Sequence, residues 1–403
     1  MTSSRKQSSR PTIAILGIRG IPASHGGFET FAERLALHLT GIGWHVIVYC
    51  HTPGLRRMKE DEWQGITRVM LPASDTPIGT IRFDWSSITD VLRRNVHVTL
   101  TLGYNTAMFG ARLRAAGVTN LINMDGIEWG RAKWGPGAKA WFWVNDWLGC
   151  WLGDHLIADN PEITKHLRTR TSADKITMIP YGADRLESAP VSPLAELGIR
   201  AGRYVTVIAR PEPENSVLEI VKAFSAVRRE VKLVVLGRFD VRGNRYHAQV
   251  QDAAGPDVLF PGAIYDAKIV QSLRANALFH IHGHTVGGTN PSLVEAMGAG
   301  NAILAHDNPF NRWVAQKSAV YFRGADDCRN RIDQLLANPD LIAVLSAYAI
   351  DRHEQAFEWR STLSLYEALL REHLPVARRV EERMARTLAF GPDLIQHTET
   401  VGG

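Results

Sequence analysis

Positions 287–300 read G-G-T-N-P-S-L-V-E-A-M-G-A-G, a glycine pair followed by the start of a helix. Asn290 is a typical N-cap residue, and the proline after it suits the first helical position. Backbone N–H groups at such a helix start, around Gly288 and Thr289, bind anions such as a diphosphate. Further along the helix, Glu295 can accept hydrogen bonds from ribose hydroxyls. A plain capped helix is the alternative, although a cap needs neither the glycine pair nor the glutamate.

A second glycine pair, Gly26-Gly27, lies between an apolar stretch that begins at Thr12 and the helical pattern that follows it. Glycines let the backbone approach a ligand closely, and the amides at a helix start attract anions. The same two residues also suffice for a simple turn. This fragment alone therefore leaves both interpretations open.

Arg210 and two carboxylates complete the set of charged candidates. Arg210 begins R-P-E-P-E-N after an apolar stretch, where its guanidinium can make paired hydrogen bonds to phosphate. Asp125 and Glu128, in D-G-I-E-W, follow another apolar stretch and can orient an acceptor hydroxyl or take its proton. A surface ion pair for Arg210 and helix capping by Asp125 are the alternatives.

The histidines and cysteines carry weaker signals. His282 and His284 end an apolar stretch just before the glycine pair at 287–288. For both histidines, packing or capping is the alternative to ligand binding. Cys50, Cys150 and Cys328 are widely spaced, which indicates a reducing compartment. The sequence shows no convincing metal-ligand spacing, no nucleophile elbow and no P-loop lysine. We therefore expect a site that works without a metal ion.

Short apolar stretches alternate with helical periodicity along the chain, which is typical of parallel sheets with helices on both faces. Strands are expected near residues 12, 45, 68, 96, 120 and 155, and in a second series near 204, 232, 258, 278 and 302. Ligands of such sheets bind beyond the carboxyl ends of the strands. We expect two α/β domains, a linker at 183–201 and a closing helix over 354–372.

The overall composition is that of an ordinary soluble protein, with 45% hydrophobic and 22% charged residues and a net charge of +5 over 403 residues. Residues 1–11 lack the apolar core of a signal peptide, and no apolar run is long enough to span a membrane. Zinc-finger spacing and ribonucleoprotein-type aromatic motifs are missing, which disfavours nucleic acid as a partner.

Six tryptophans between positions 129 and 151 make an unusual segment. On a helical wheel, a broad apolar arc contains Trp141, Trp143, Trp147 and Trp151, and the opposite side holds Asn145 and Asp146. Such an arc either contacts an anionic membrane surface, with nearby lysine and arginine at the headgroups, or packs inside the protein or against a second copy. The sequence leaves these alternatives open.

Five motifs of the sequence, taken together, resemble those of the retaining glycosyltransferases of family 4. More narrowly, they resemble the bacterial rhamnosyltransferase-like branch of capsule and exopolysaccharide synthesis, in which they occur in the same order. The similarity runs from about Thr12 to Leu370. It rests on G-I-R-G-I-P-A-S-H-G-G-F-E-T-F-A-E-R-L, D-G-I-E-W-G-R-A-K-W, A-R-P-E-P-E-N-S, H-G-H-T-V-G-G-T-N-P-S-L-V-E-A-M and H-D-N-P-F-N-R.

The resemblance implies the GT-B fold, in which two Rossmann-like domains face each other across a cleft and the last helix crosses back to the first domain. The expected boundaries are 1–185 for the acceptor-side domain, 186–355 for the nucleotide-sugar domain, 356–375 for the crossing helix and 376–403 for an extension. Catalytic roles fall to Arg210, Glu295 and Asp125, and acceptor-side roles to Asp125 and Glu128. Donor contacts are expected from Gly26, Gly27, Arg210, Asn215, His284, Gly288, Thr289, Asn290 and Glu295.

Two positions depart from the family pattern. Family 4 generally carries two glutamates separated by seven residues; here the second is Glu295, but the first position is Gly287. The lysine that usually follows the arginine is also missing after Arg210, where Glu214, Asn215 and Ser216 stand instead. Fewer polar contacts to the donor sugar would suit a 6-deoxyhexose.

We therefore expect transfer, with retention, of a rhamnose-like sugar or a hexose from a nucleoside-diphosphate donor to a glycan hydroxyl in cell-surface polysaccharide synthesis. The expected acceptor is a glycan carried on a polyprenyl diphosphate, the location cytoplasmic with peripheral contact at the inner face of the plasma membrane, and no cofactor is needed. The alternatives are a non-catalytic sugar-nucleotide-binding protein and a GT-B epimerase or hydrolase. An NAD-dependent dehydrogenase would need a G-x-G-x-x-G motif after a strand, which the sequence lacks.

Overall fold

The computed structural model describes residues 10–24 and 26–375, which form two α/β domains joined in series. Within these residues, the first sheet has eight strands in the order β3-β4-β2-β1-β5-β6-β7-β8. All neighbouring strands are parallel except β3, which pairs antiparallel with β4. The strands are β1 (Thr12–Leu16), β2 (His45–Thr52), β3 (Lys59–Trp63), β4 (Ile66–Pro72), β5 (Val98–Leu102), β6 (Thr119–Asn123), β7 (His155–Ala158) and β8 (Ile176–Met178).

Five helices cover the two faces of the first sheet: α1 (Gly27–Gly41), α2 (Pro77–Val91), α3 (Gly110–Ala115), α4 (Pro136–Leu152) and α5 (Pro161–Leu167). Alternate residues of β1 point to opposite faces. Ile13 and Ile15 pack with α1 residues such as Phe31. Ala14 and Leu16 pack with α2 residues on the other face, where the apolar residues of α4 and α5 also lie. This is the distribution that right-handed crossovers produce.

The second sheet has six strands, all parallel among the described residues, in the order β11-β10-β9-β12-β13-β14. They are β9 (Tyr204–Ile208), β10 (Lys232–Leu236), β11 (Val258–Gly262), β12 (Phe279–His282), β13 (Ala302–His306) and β14 (Ala319–Phe322). Its helices are α6 (Ser192–Glu196), α7 (Val217–Ser225), α8 (Arg245–Asp252), α9 (Ala267–Ala275), α10 (Pro291–Gly298), α11 (Pro309–Ala315), α12 (Gly324–Leu336) and α13 (Pro339–Ala356). The predicted pair of parallel α/β domains is thus confirmed.

The last described helix, α14 (Trp359–Glu372), returns to the first domain. Its Trp359 and Tyr366 belong to the same buried core as Phe31 of α1, and the Phe31 and Tyr366 ring centroids lie 4.6 Å apart. The Asn123 side chain at the end of β6 donates to the Tyr366 hydroxyl at 2.8 Å. The predicted crossing of the last helix is therefore confirmed.

One continuous closing helix over 354–372 was expected, and the structure has a break instead. Helix α13 ends at Ala356 and α14 begins at Trp359. Between them, the carbonyl of the buried Phe357 accepts the N–H of Ala183, and a β-bridge joins Ala183 to Glu358. These backbone bonds to the connecting segment replace helical ones, so the chain turns here before it crosses. The proposed extension 376–403 lies outside the described residues.

In both sheets the strand order reverses at a switch point, between β1 and β5 in the first and between β9 and β12 in the second. Loops at the carboxyl ends of such strands are where ligands of open α/β sheets bind. No helix in the described ranges is both long enough and apolar enough to cross a membrane.

Candidate functional site

Gly27, the first residue of α1, lies against the start of α10 in the other domain. A Cβ placed on Gly27 would come within 2.7 Å of Pro291 Cγ, so only glycine allows this approach. Gly26 is the residue before the first turn of α1. The N-termini of two helices, each with unsatisfied backbone N–H groups, therefore meet at the cleft.

Helix α10 is fixed firmly at this position. The Asn290 side chain accepts the N–H of Ser292 at 3.0 Å, which makes Asn290 the N-cap that the sequence predicted. The Ser292 hydroxyl donates to the Ile208 carbonyl at the end of β9, at 2.7 Å. The N–H groups at the start of the helix are thereby held at the carboxyl ends of the central strands.

Gly287, at the position of the first family glutamate, has a backbone conformation with a φ of 127°, in the region that favours glycine. It also lies against Gly126 of the first domain, where an added Cβ would come within 3.2 Å of the Gly287 Cα. The departure from the family pattern thus coincides with a close approach of two backbones.

An acidic side chain of the first domain is hydrogen-bonded to this loop. Asp159 Oδ2 accepts the backbone N–H of Thr289 at 2.8 Å, and the Thr289 hydroxyl donates to the Asp159 carbonyl. Asp159 Oδ1 is buried without a hydrogen-bond partner among the described residues. Burial, together with the nearby Asp125, raises the pKa of Asp159 to about 7.

Asp159 was not among the residues predicted for the site, although a signal for it was present. It directly follows β7, in the same way as Asp125 follows β6 within two residues. Asp125 itself has a φ of 48°, and its N–H donates to Asn123 Oδ1 at 2.9 Å. Burial and then the Glu128 carboxylate raise the pKa of Asp125. Two neighbouring strands thus place two half-buried carboxyl groups at the cleft.

Glu128 has partners on its own side of the cleft. Arg131 Nε lies 2.5 Å from Glu128 Oε1, and Trp134 Nε1 donates to Glu128 Oε2 at 3.1 Å. Arg131 also reaches Glu214 of the second domain at 3.4 Å. This carboxylate is thus held by an arginine that bridges the two domains.

Arg210 is exposed and lies two residues after the end of β9. Asn215, expected to contact the donor, is buried, and its side-chain N–H₂ donates to the Arg210 carbonyl at 2.8 Å. The structure therefore gives Asn215 a role in holding the Arg210 loop.

Glu295 lies on α10 and forms an ion pair with Arg274 of α9. The Glu295 side chain is 30% exposed, whereas that of Arg274 is 13% exposed. Burial and the nearby Glu295 raise the pKa of Tyr181. The glutamate is thus positioned by a cation and keeps part of its surface accessible.

Three histidines follow one another in and after β12. The rings of His282 and His284 are stacked, with centroids 4.3 Å apart and planes 7° apart, and His280 lies 6.0 Å from His282. Burial lowers the pKa of His282 to about 3 and that of His284 well below 6.5. Both rings are therefore neutral at pH 7. Within residues 10–24 and 26–375, no group of three or more His, Cys, Asp or Glu residues is arranged to hold a metal ion.

A cavity of about 400 Å³ opens at the first switch point and was not predicted. Its polar lining includes Arg19, Glu29, His51, Asp84 and Lys133 of the first domain, and Arg210 reaches it from the second. The Thr106 hydroxyl donates to Asp84 at 2.8 Å, and burial raises the pKa of Asp84 to about 6. These side chains are scattered along the sequence, so only the switch-point rule could have indicated their meeting.

A family model described as a domain of unknown function, DUF1972, matches residues 10–184. No curated protein sequence matches the chain at a significant level.

Several solved structures superpose over nearly the whole chain. A sucrose-phosphate synthase from Thermosynechococcus elongatus aligns with a TM-score of 0.76 at 17% identity, covering 90% of this chain and 99% of the other. Anabaena HepE in complex with UDP-glucose aligns with a TM-score of 0.70 at 14% identity, covering 89% and 99%. A trehalose-6-phosphate synthase aligns with a TM-score of 0.67 at 11% identity, covering 90% and 99%. The chain therefore has the GT-B fold.

Proposed function

We propose that the protein is a glycosyltransferase that uses a nucleoside-diphosphate sugar. The observation that carries this proposal is that the α10 N-terminus is hydrogen-bonded, through Ser292, to the last residue of β9, two residues before Arg210. The GT-B relatives include a protein solved with UDP-glucose and two sugar-phosphate synthases, which supports a sugar-nucleotide donor.

In the proposed complex, the donor diphosphate lies at the N–H groups of Gly288 and Thr289, and Glu295 accepts hydrogen bonds from the ribose. Negative charge builds up on the leaving diphosphate in the transition state. Preorganised N–H groups and the Arg210 guanidinium stabilise that charge, which is usually the largest contribution to catalysis. We propose that these groups are sufficient without a divalent cation.

The acceptor would enter the cavity of the first domain. Carboxylates such as Glu29 and Asp84 line it and are suited to binding sugar hydroxyls. Asp125 lies at the neighbouring strand end and belongs to the same side of the cleft. Because the leaving diphosphate can take the acceptor's proton, retention of configuration needs no strong base from the protein.

More narrowly, we propose membership of glycosyltransferase family 4 and a 6-deoxyhexose such as rhamnose as the donor sugar. Gly287 supplies no side chain to the sugar, and Asn215 is occupied by the Arg210 carbonyl, so fewer polar groups face the donor. The acceptor we propose is a lipid-linked glycan of cell-surface polysaccharide synthesis. The enzyme would bind this glycan at the cytoplasmic side of the membrane.

A protein that binds the donor without transferring its sugar is the second candidate. The bond from Thr289 to Asp159 favours it, because a first-domain carboxylate occupies an N–H group proposed for the diphosphate. Such a protein would bind nucleotide sugars but form no product with any acceptor. An epimerase or hydrolase would consume the donor without an acceptor.

A panel of nucleotide sugars, tested by thermal shift, identifies the donor. A ligand at a hundred times its Kd stabilises the folded protein by about 2.7 kcal/mol. The binding donor is then incubated with short prenyl-diphosphate-linked saccharides, and release of nucleoside diphosphate is followed. Release that depends on the acceptor supports transfer, release without it indicates hydrolysis, and no shift with any donor contradicts the proposal.

A further inference from the structure

Helix α4 (Pro136–Leu152) buries two polar side chains and exposes two tryptophans. Asn145 and Asp146 are 0% and 1% exposed, whereas Trp143 and Trp151 are 48% and 58% exposed. This orientation is the reverse of that expected for a surface helix in water. An aromatic helix face exposed in this way indicates a partner that the isolated chain lacks.

The buried polar pair explains the orientation of the helix. Asn145 Oδ1 accepts the N–H of Met108 at 3.0 Å. Asp146 Oδ2 accepts from Trp129 Nε1 and from His166 Nε2, both at 2.8 Å. Since a buried carboxylate without such partners would be costly, these bonds fix which side of α4 faces the core. The exposure of the tryptophans is therefore a property of the fold.

Three tryptophans of α4 form a continuous row, in which Trp143 and Trp151 are exposed and Trp147 between them is half-buried. The ring centroids of Trp143 and Trp147 are 6.1 Å apart, and those of Trp147 and Trp151 are 5.8 Å apart. Val144 beside them is 45% exposed. We call these four residues the tryptophan face.

The neighbouring helices continue this surface. Trp85 of α2 is 47% exposed, and the Arg112 guanidinium of α3 lies 4.0 Å from its ring centroid. Arg114 of α3 donates to the Trp151 carbonyl at 2.8 Å. Helices α2, α3 and α4 thus present aromatic rings and arginines together on one side of the first domain.

The charges on these three helices are sorted by direction. Their acidic residues turn inward: Asp84 lines the cavity, Asp90 binds Tyr49 and Arg94, and Asp146 is buried. Their basic residues are Arg82, Arg112, Arg114 and Lys139, of which Arg82 and Arg114 are exposed and the other two half-buried. The outer surface is therefore cationic as well as aromatic, which fits an anionic partner.

The same helices border the cavity of the candidate site. Asp84 of α2 and Ala107 line the cavity, while Trp85 and Met108, their neighbours in sequence, are exposed. Trp141 of α4 donates to the carbonyl of Asn105, another lining residue, at 2.8 Å. A partner seated on this side would lie next to the cavity.

We propose that α2, α3 and α4 form a docking face for an anionic lipid bilayer, with the tryptophan face in the headgroup region. Tryptophan prefers this interface, and surface cations are attracted to anionic headgroups. This inference deepens the proposed function, on which it rests for the acceptor. A lipid-linked saccharide would then enter the cavity from the bilayer without the enzyme spanning it.

Sedimentation with vesicles tests the docking face. The full chain should sediment with vesicles of phosphatidylcholine and phosphatidylglycerol, and remain in the supernatant with phosphatidylcholine alone or at high salt. The double variant Trp143→Ser/Trp151→Ser should lose at least tenfold in partition coefficient. Arg82→Gln and Lys139→Gln do not alter the core, and each should lower the partition coefficient about fivefold.

Matched controls come from the second domain, where Tyr265→Ser removes an exposed aromatic ring and Lys268→Gln an exposed cation. Both should bind vesicles as the wild type does. The inference is overturned if the wild type stays in the supernatant, if the Trp143/Trp151 variant binds equally well, or if sedimentation equilibrium shows a dimer that this variant dissociates. Donor binding by thermal shift, which needs no lipid, reports separately on the proposed function.

Discussion

Asp159 Oδ2 of the first domain accepts the backbone N–H of Thr289 of the second at 2.8 Å. This bond joins the carboxyl end of β7 to the loop before α10. It places an anion where we propose that the donor diphosphate binds, so the two compete for one N–H group. Because burial and Asp125 raise the pKa of Asp159 to about 7, this competition depends on pH near neutrality.

Asp159→Asn should therefore bind uridine diphosphate or thymidine diphosphate more tightly than the wild type at pH 8. Loss of the competing charge is expected to lower the Kd about tenfold, the difference between a charge-assisted and a neutral hydrogen bond. Below pH 7 the wild-type carboxyl becomes protonated and neutral, so the difference should shrink toward pH 5.5. Isothermal titration calorimetry of both proteins at both pH values measures it.

Asp351→Asn, at an exposed position of α13, is the control for a change of one charge. It should bind the nucleotide as the wild type does at each pH. Equal or weaker binding by Asp159→Asn at pH 8 would show that the carboxylate does not compete with the diphosphate.

Arg210→Ala should slow sugar transfer by about one to three powers of ten, as expected when a group that stabilises the leaving charge is removed. Arg203→Ala is the matched control, because Arg203 precedes β9 whereas Arg210 follows it. Initial rates at saturating donor compare the two. If both variants retained the wild-type rate, Arg210 would have no place in the site.

Glu295→Gln should raise the KM for the donor at least tenfold while the fold is kept. The amide oxygen can still accept a hydrogen bond from Arg274, the present partner of Glu295, but a neutral amide binds ribose hydroxyls less strongly. Steady-state kinetics over a range of donor concentrations, with thermal unfolding as a check, measure the effect. An unchanged KM would contradict the ribose assignment.

His282→Phe should make the protein less sensitive to acid. Neither ring nitrogen of His282 has a hydrogen-bond partner among the described residues, and burial lowers its pKa to about 3. Below pH 6.5 the unfolded chain therefore binds a proton at this histidine, whereas the folded protein does not. Because the unfolded state is favoured in this way, the free energy of unfolding decreases as the pH falls. The loss is about 1.4 kcal/mol per pH unit.

Urea unfolding of wild type and variant between pH 7 and pH 5 measures this slope. The wild-type free energy of unfolding should fall more steeply than that of His282→Phe below pH 6.5. Parallel curves would show that His282 is protonated in the folded protein.

Local patterns in the sequence predicted the central elements well. The helical pattern after Gly26-Gly27 corresponds to α1, and Asn290 predicted the start of α10. Strand β3 was missed because its residues, K-E-D-E-W, are charged and mostly exposed, as is common at a sheet edge.

Contacts between distant segments could not be predicted from such patterns. Asp159 and Thr289 are 130 residues apart, and their bond depends on how the two domains face each other. The helical wheel correctly predicted that Asn145 and Asp146 lie opposite the tryptophans. The wheel does not determine which of the two sides is buried. That was decided by partners such as Met108 and His166 on other segments.

The most direct test of the account is a transfer reaction followed by NMR. The purified full chain is incubated in EDTA with the nucleotide sugar that stabilises it and a short prenyl-diphosphate-linked saccharide. We predict a new glycosidic bond, formed only when the acceptor is present, with the anomeric configuration of the donor. Three results would each contradict the account: a product with inverted anomeric configuration, hydrolysis of the donor at the same rate with and without acceptor, or a reaction that needs a divalent cation.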